Sequence, residues 1–163
     1  MPLKATAENP GVLAPQNRFK DKPDSYWVQT LSPEVYEICR KKGTEKAGSG
    51  LYDKFYEKGT YYCACCGGDF PLFSSAAKYD SKTGWPSFWK PIADQQIELV
   101  KETNILSRLF GATTEVRCSR CGSHLGHVFD DGPQPTGKRY CINSLALKFA
   151  AENGSASHPM VDK

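Results

Sequence analysis

Cys63-Ala64-Cys65-Cys66-Gly67 and Cys118-Ser119-Arg120-Cys121-Gly122 carry the same signature, two cysteines separated by two residues and followed at once by glycine. The glycine lets the backbone turn tightly, so that both sulfurs of a pair point at one centre. Two such pairs supply four thiolates, the tetrahedral set that zinc takes in structural sites, and a closed set leaves no position open for chemistry. Cys63, Cys66, Cys118 and Cys121 are therefore the expected ligands of a structural zinc ion. The stretch between the pairs, Gly67 to Arg117, is far longer than the roughly 15–20 residues of a compact zinc ribbon, so the ion would staple two distant hairpins. A pair of redox motifs is the alternative, but neither opens a helix in a βαβ setting. Cys65 competes for the metal, and the two-residue gap favours Cys63 and Cys66.

Outward from the knuckles, short segments rich in Tyr, Phe, Val and Thr alternate with Gly, Pro and Asp clusters from Gly50 onward. That pattern predicts an antiparallel, mainly β core with long connections. Ahead of it, Ser32 to Gly43 is punctuated as a helix, with Ser32 as N-cap, Pro33 in the first position and Gly43 just past the end. Its buried face would be Leu31, Val35, Ile38 and Cys39. Residues 1–25 and 151–163 show no periodicity and are expected to be flexible tails on one domain at 26–150.

Composition narrows the function. The 163 residues are 39% hydrophobic and 24% charged, which is globular, and no apolar run approaches the roughly 18 residues of a membrane span. With 21 basic against 18 acidic residues and the signs mixed, no footprint for nucleic acid is visible. Seven cysteines, an odd count without an apolar leader, disfavour a disulfide scaffold and favour metal or thiol chemistry. The first residues lack both a secretory apolar stretch and the Arg-rich, acid-poor character of a transit peptide, so a cytoplasmic location is expected.

After the second knuckle the chain runs Ser123-His124-Leu125-Gly126-His127-Val128-Phe129, a Gly and Pro loop, then Arg139-Tyr140-Cys141-Ile142-Asn143-Ser144. This predicts two antiparallel strands. Alternation puts Arg139, Cys141 and Asn143 on one face and Tyr140, Ile142 and Ser144 on the other. If the strands close evenly, Cys141 lies opposite Gly126 with His124 and His127 to either side, and a bulge at Gly126 would bring both imidazoles to one face. A nearby Arg and a protonatable His lower a thiol pKa and supply a nucleophile. Two other readings stay open: the histidines as further zinc ligands, and Cys141 as a buried apolar residue. Upstream, Tyr79 to Trp89 gathers aromatics around Gly84-Trp85-Pro86, which suits a core cluster or a shallow pocket for a small apolar group.

Taken together, the paired Cys-x-x-Cys, Thr83-Gly84-Trp85-Pro86-Ser87-Phe88, His124-Leu125-Gly126-His127-Val128-Phe129, Asp131-Gly132-Pro133, Pro135-Thr136-Gly137 and Arg139-Tyr140-Cys141-Ile142-Asn143-Ser144 resemble the methionine sulfoxide reductase B family, from about Tyr26 to Phe149. The resemblance implies two antiparallel sheets stapled by zinc, and thiol-dependent, thioredoxin-coupled reduction of methionine-R-sulfoxide, free or in oxidised proteins. It also implies that Cys141 is the nucleophile, that His124, His127, Asp131, Arg139 and Asn143 orient substrate and assist proton transfer, and that Trp85 with Phe129 receives the sulfoxide methyl. Many members carry a resolving cysteine two residues before the motif tryptophan. Here that position is Thr83, which cannot form a disulfide, so recycling falls to Cys39, to Cys65, or to an external thiol such as thioredoxin or a glutathione system. Cys39, at a helix end beside Gly43 and the Gly48-Ser49-Gly50 segment, is expected to move more readily than Cys65 in the zinc loop. A non-catalytic, zinc-stapled β binding module is the rival reading.

Overall fold

The computed structural model describes residues 19–102 and 114–152. The expected tails at 1–18 and 153–163 lie outside the described residues. Helix α1 (Asp24–Thr30) begins inside the stretch read as tail and buries Trp27. The Arg40 guanidinium sits 4.3 Å from the Trp27 ring centroid, an attraction of about 0.5–2 kcal/mol.

Helix α2 (Pro33–Cys39) starts as its sequence dictates, the Ser32 hydroxyl accepting from the Val35 N–H at 3.2 Å with Pro33 in the first turn. It buries Ile38 and Cys39 and half-buries Leu31 and Val35. Its end comes earlier than expected. Arg40 caps the helix, Lys42 takes a left-handed φ of 60° in place of a glycine, and the Gly43 N–H donates back to the Glu37 carbonyl at 3.0 Å.

The remainder is β structure, as expected, in two antiparallel sheets. The smaller has strand order β2 (Pro71–Ser74), β1 (Gly59–Cys63), β9 (Leu147–Ala151). The larger runs β3 (Lys78–Tyr79), β4 (Ser87–Phe88), β8 (Arg139–Ile142), β7 (His124–Phe129), β6 (Thr114–Cys118), β5 (Ile97–Lys101). Alternate residues of each strand turn inward. Tyr61 and Phe73 of the small sheet meet Phe88 and Tyr140 of the large one, with Phe73 stacked on Phe88 at 4.4 Å and Tyr61 edge-on to it at 5.2 Å. Such ring pairs add about 0.5–1.5 kcal/mol each beyond the area they bury. Among the described residues no helix is long and apolar enough to cross a membrane.

The sheet order explains the job of the knuckles. Cys63 ends β1 in the small sheet and Cys118 ends β6 in the large one, so the two cysteine pairs meet where the sheets need joining.

Candidate active site and metal centre

Each knuckle is a hairpin turn closed by backbone bonds: Cys63 N–H to Phe70 O at 3.0 Å in the first, Cys118 N–H to Ser123 O at 2.9 Å and Gly122 N–H to Cys118 O at 2.8 Å in the second. Gly67 and Gly122 have φ of 95° and 76°, where a side chain is strained, which is why glycine follows each pair. The four sulfurs of Cys63, Cys66, Cys118 and Cys121 are buried and lie within 4.8 Å of one another. Zn–S bonds of about 2.3 Å set tetrahedral S···S edges of about 3.8 Å. Here Cys63 and Cys121 are 3.7 Å apart and Cys66 and Cys118 are 3.8 Å apart, so the cage has the dimensions of a tetrahedral metal site. Outer donors are in place as well: Arg120 Nε to Cys66 Sγ at 3.3 Å and Cys65 N–H to Cys63 Sγ at 3.4 Å. Four clustered thiolates can be held in such burial only against a cation.

Cys141 lies on β8 between β4 and β7. Its cross-strand neighbours are Ser87 and His127, and His127 in turn faces Glu115. Directly paired residues share a face, so Ser87, Cys141, His127 and Glu115 form one row across the sheet. The register is one residue away from that expected, with Ile142 rather than Cys141 opposite Gly126. Lys138 is the cause: it stays in the loop, where its N–H donates to Thr136 Oγ1 at 3.1 Å and its ammonium pairs with Asp130 at 2.6 Å, leaving Arg139 to open the strand opposite Phe129. The slip brings Cys141 to His127 directly.

The expected bulge is present. Arg117 pairs with His124 while its neighbour Val116 pairs with Gly126, so Leu125 is the extra residue, and the two imidazoles end 5.4 Å apart and edge to face. Neither is aimed at the metal cage. His124 Nδ1 meets Glu115 Oε2 at 2.7 Å, and His127 Nε2 meets Glu102 Oε1 at 3.2 Å. Burial, against the pull of Glu115, lowers the His124 pKa below its ordinary value. Glu115 is itself wholly buried, and despite that burial Arg117 and His124 keep its carboxyl below the usual range.

Arg139, on the Cys141 face, binds Asp131 with two donors, Nε at 2.8 Å and Nη2 at 3.1 Å, and its guanidinium lies 4.2 Å from the Phe129 ring centroid. Phe129 is thus held flat beneath a cation on the strand next to Cys141. On the other flank, Trp85 precedes β4 and its indole Nε1 donates to the Glu45 carbonyl at 3.0 Å. Asn143 has a different setting from the one expected: it is buried just past β8, where Nδ2 donates to Leu125 O at 2.9 Å and Oδ1 accepts from the Glu45 N–H at 3.0 Å. Glu45 completes this corner, its carboxylate accepting from the Ser144 and Leu145 N–H groups at 2.9 and 3.0 Å.

The thiol itself behaves differently from the sequence expectation. Burial pushes the Cys141 thiol above its ordinary pKa, and the opposing pulls of Arg139 and of the Thr83 hydroxyl do not overcome it. The Thr83 hydroxyl therefore lies beside the Cys141 sulfur. Its Oγ1 also lies 2.9 Å from Ser81 Oγ, which is 2.7 Å from Ser87 Oγ, so a chain of hydroxyls runs beside the sulfur. Cys39 lies near Cys65, and both thiols are buried beside the cluster of four cysteines.

Lys42, Glu45, Glu102 and Glu115 were not singled out from the sequence. Glu115 and Arg117 alternate on one strand and read as a solvated face, and Glu45 sits in a polar loop; only a partner from a distant strand distinguishes them.

Residues 31–151 match the family model described as SelR domain. A peptide methionine sulfoxide reductase MsrB of Hahella chejuensis is 49% identical over 83% of this chain and 93% of its own. That of Leptospira interrogans is 51% identical over 81% of this chain and 96% of its own. That of Methanosarcina barkeri is 52% identical over 81% and 89% respectively.

Proposed function

Because this chain belongs to the methionine sulfoxide reductase B family, we propose that it reduces methionine-R-sulfoxide, free or in oxidised proteins, to methionine through a sulfenic acid on Cys141. The observation that carries this reading is the row that sets the Cys141 thiol directly opposite His127, with Arg139 two residues away on the same face. Attack by the Cys141 sulfur on the sulfoxide sulfur forms an S–S bond as the protonated S–O bond breaks, and the released oxygen, as water, then adds to the Cys141 sulfur and breaks that S–S bond, so methionine sulfoxide and a thiol become methionine and a sulfenic acid. Because burial keeps Cys141 protonated at rest, that thiol proton is itself available to the departing oxygen, relayed by His127 as general acid. His124, held by Glu115, stabilises the charge as it develops, while Trp85, just ahead of β4, and Phe129, at the end of β7, receive the methyl group.

An external thiol, thioredoxin or another, then reduces the sulfenic acid: two thiols become a disulfide and water leaves. The placement of Cys39 against Cys65, and of the Thr83 hydroxyl against Cys141, supports an external reductant over the internal resolution by Cys39 that the sequence suggested. The cysteine cage takes zinc in a structural role, contributing to folding and to no step of the reaction.

Incubation with dithiothreitol and racemic dabsyl-methionine sulfoxide tests the reading. Loss of the R epimer alone is expected, with Cys141→Ser inactive but folded and with dimedone labelling Cys141 after one equivalent of substrate. Stereospecific turnover by Cys141→Ser overturns it.

A further inference from the structure

Lys42 follows helix α2 in a left-handed conformation that lysine rarely adopts. Its ammonium lies 3.0 Å from Glu102 Oε2 and 3.5 Å from Glu115 Oε1. The remaining oxygens of these carboxylates hold the two histidines, Glu102 Oε1 to His127 at 3.2 Å and Glu115 Oε2 to His124 at 2.7 Å. Each carboxylate thus has one oxygen on an imidazole and the other facing Lys42, Glu115 Oε1 being shared with Arg117 at 3.0 Å. The side chains of Glu115 and Glu102 are 1% and 11% exposed, a burial in which two like charges need a cation between them.

We propose that Lys42 is a positioning residue for the sulfoxide reduction, a single cation that ties the two acid–histidine pairs together and so fixes both imidazoles toward Cys141. The inference rests on the histidine roles given under Proposed function and extends them to a residue outside the sheet that carries them. Arg117, 3.0 Å from Glu115 Oε1, shares that carboxylate with Lys42, whereas Lys42 contacts both carboxylates. A lysine at the helix end can reach both.

The bridge has an electrostatic signature. The groups facing His124 are Glu115 and Arg117 from β6, His127 from its own strand, and Lys42 with Glu102 from the flanking connections. Burial does most to oppose protonation of His124, and His127 and then Lys42 add to it, so removal of Lys42 raises the imidazole pKa.

The test uses the full chain with Lys42→Met, Lys42→Arg and, as a control, Lys20→Met, which removes a lysine paired with Glu98 on the surface. With dabsyl-methionine-R-sulfoxide and dithiothreitol, Lys42→Met is expected to lose about tenfold in kcat with KM held within about twofold, the pattern of a group that acts through orientation in the transition state. Lys42→Arg should recover most of the loss, and Lys20→Met should match wild type. Imidazole NMR titration reads the bridge without substrate, and with three histidines in the chain the assignment is direct: His124 should titrate at higher pH in Lys42→Met than in wild type. Wild-type kcat in Lys42→Met together with an unmoved His124 titration overturns the proposal. So does Lys42→Arg as impaired as Lys42→Met. A wild type inactive on the R-sulfoxide overturns the reading under Proposed function instead, while the NMR titration still decides whether Lys42 governs the histidines.

Discussion

Gly126→Ala is a test of how closely β7 and β8 must approach for the site to exist. A Cβ at this position would lie 2.0 Å from the Cys141 carbonyl oxygen and 3.0 Å from Ile142 Cα, all backbone that no rotamer change can clear. To reach an ordinary carbon–oxygen contact the strands must part by about 1.2–1.4 Å, which stretches N–H···O bonds of about 2.9 Å past the distance at which they hold. The bonds at risk are the Asn143 N–H and Nδ2 donations to Leu125 O, each 2.9 Å, and the ladder bonds beside the Gly126–Ile142 pair. Three net bonds at about 1 kcal/mol each give a loss of about 3 kcal/mol. For a domain of this size that lowers the melting temperature by about 6–12 °C. Because Cys141 and His127 occupy the adjoining pair, the same parting separates the proposed nucleophile from its proposed proton donor, so kcat should fall by more than the unfolded fraction explains. Urea titration with a fixed m-value, scanning calorimetry and R-sulfoxide turnover at a temperature where both proteins are folded check this. A Gly126→Ala protein melting within about 1 °C of wild type, with unchanged kcat, would refute the argument that strand approach sets the site.

Cys118→Ser removes one corner of the sulfur cage and should yield protein without bound zinc and with a sharply lowered melting temperature, measured by metal analysis and calorimetry; His124→Asn should keep its zinc and lose activity. The pH dependence of stability tests the buried histidine. His124 is depressed in the folded state, so below its unfolded value of about 6.5 the unfolded chain binds the extra proton and wild-type stability falls as the pH drops. Glu115, also held below its ordinary value, adds a loss of the same sign only where the pH falls through the carboxylate range. Urea midpoints should therefore decline in wild type from about pH 7 to 5 and stay flatter in His124→Asn; parallel curves would refute the assignment.

Legibility in the sequence followed residue type. Cysteine and histidine have distinctive chemistry, so the paired Cys-x-x-Cys turns and the His124 and His127 spacing could be read directly, and the sulfur cluster and the bulge followed from them, while the β core followed from its Tyr, Phe, Val and Thr segments. Ser32 and Pro33 announced the start of α2 in the same way, because capping is local chemistry between residues three apart. The helix end was misread because Lys42, rather than Gly43, adopts the left-handed turn, and what holds Lys42 there is Glu102, sixty positions away. The β8 register was misread for a related reason: Lys138 alternates as a strand residue, but its bonds to Thr136 and Asp130 keep it in the loop. Lysine and glutamate are common on solvated faces, so neither type flags itself, and each of these side chains acquires its role only from a partner that the fold delivers. The same reasoning separates the two halves of the site. The sulfur and imidazoles proposed to carry the reaction are written in residue types with distinctive chemistry, whereas the charges beside them, Lys42, Glu102 and Glu115, use residue types found all over the surface and become visible only when their oxygens and nitrogens are found within reach of one another.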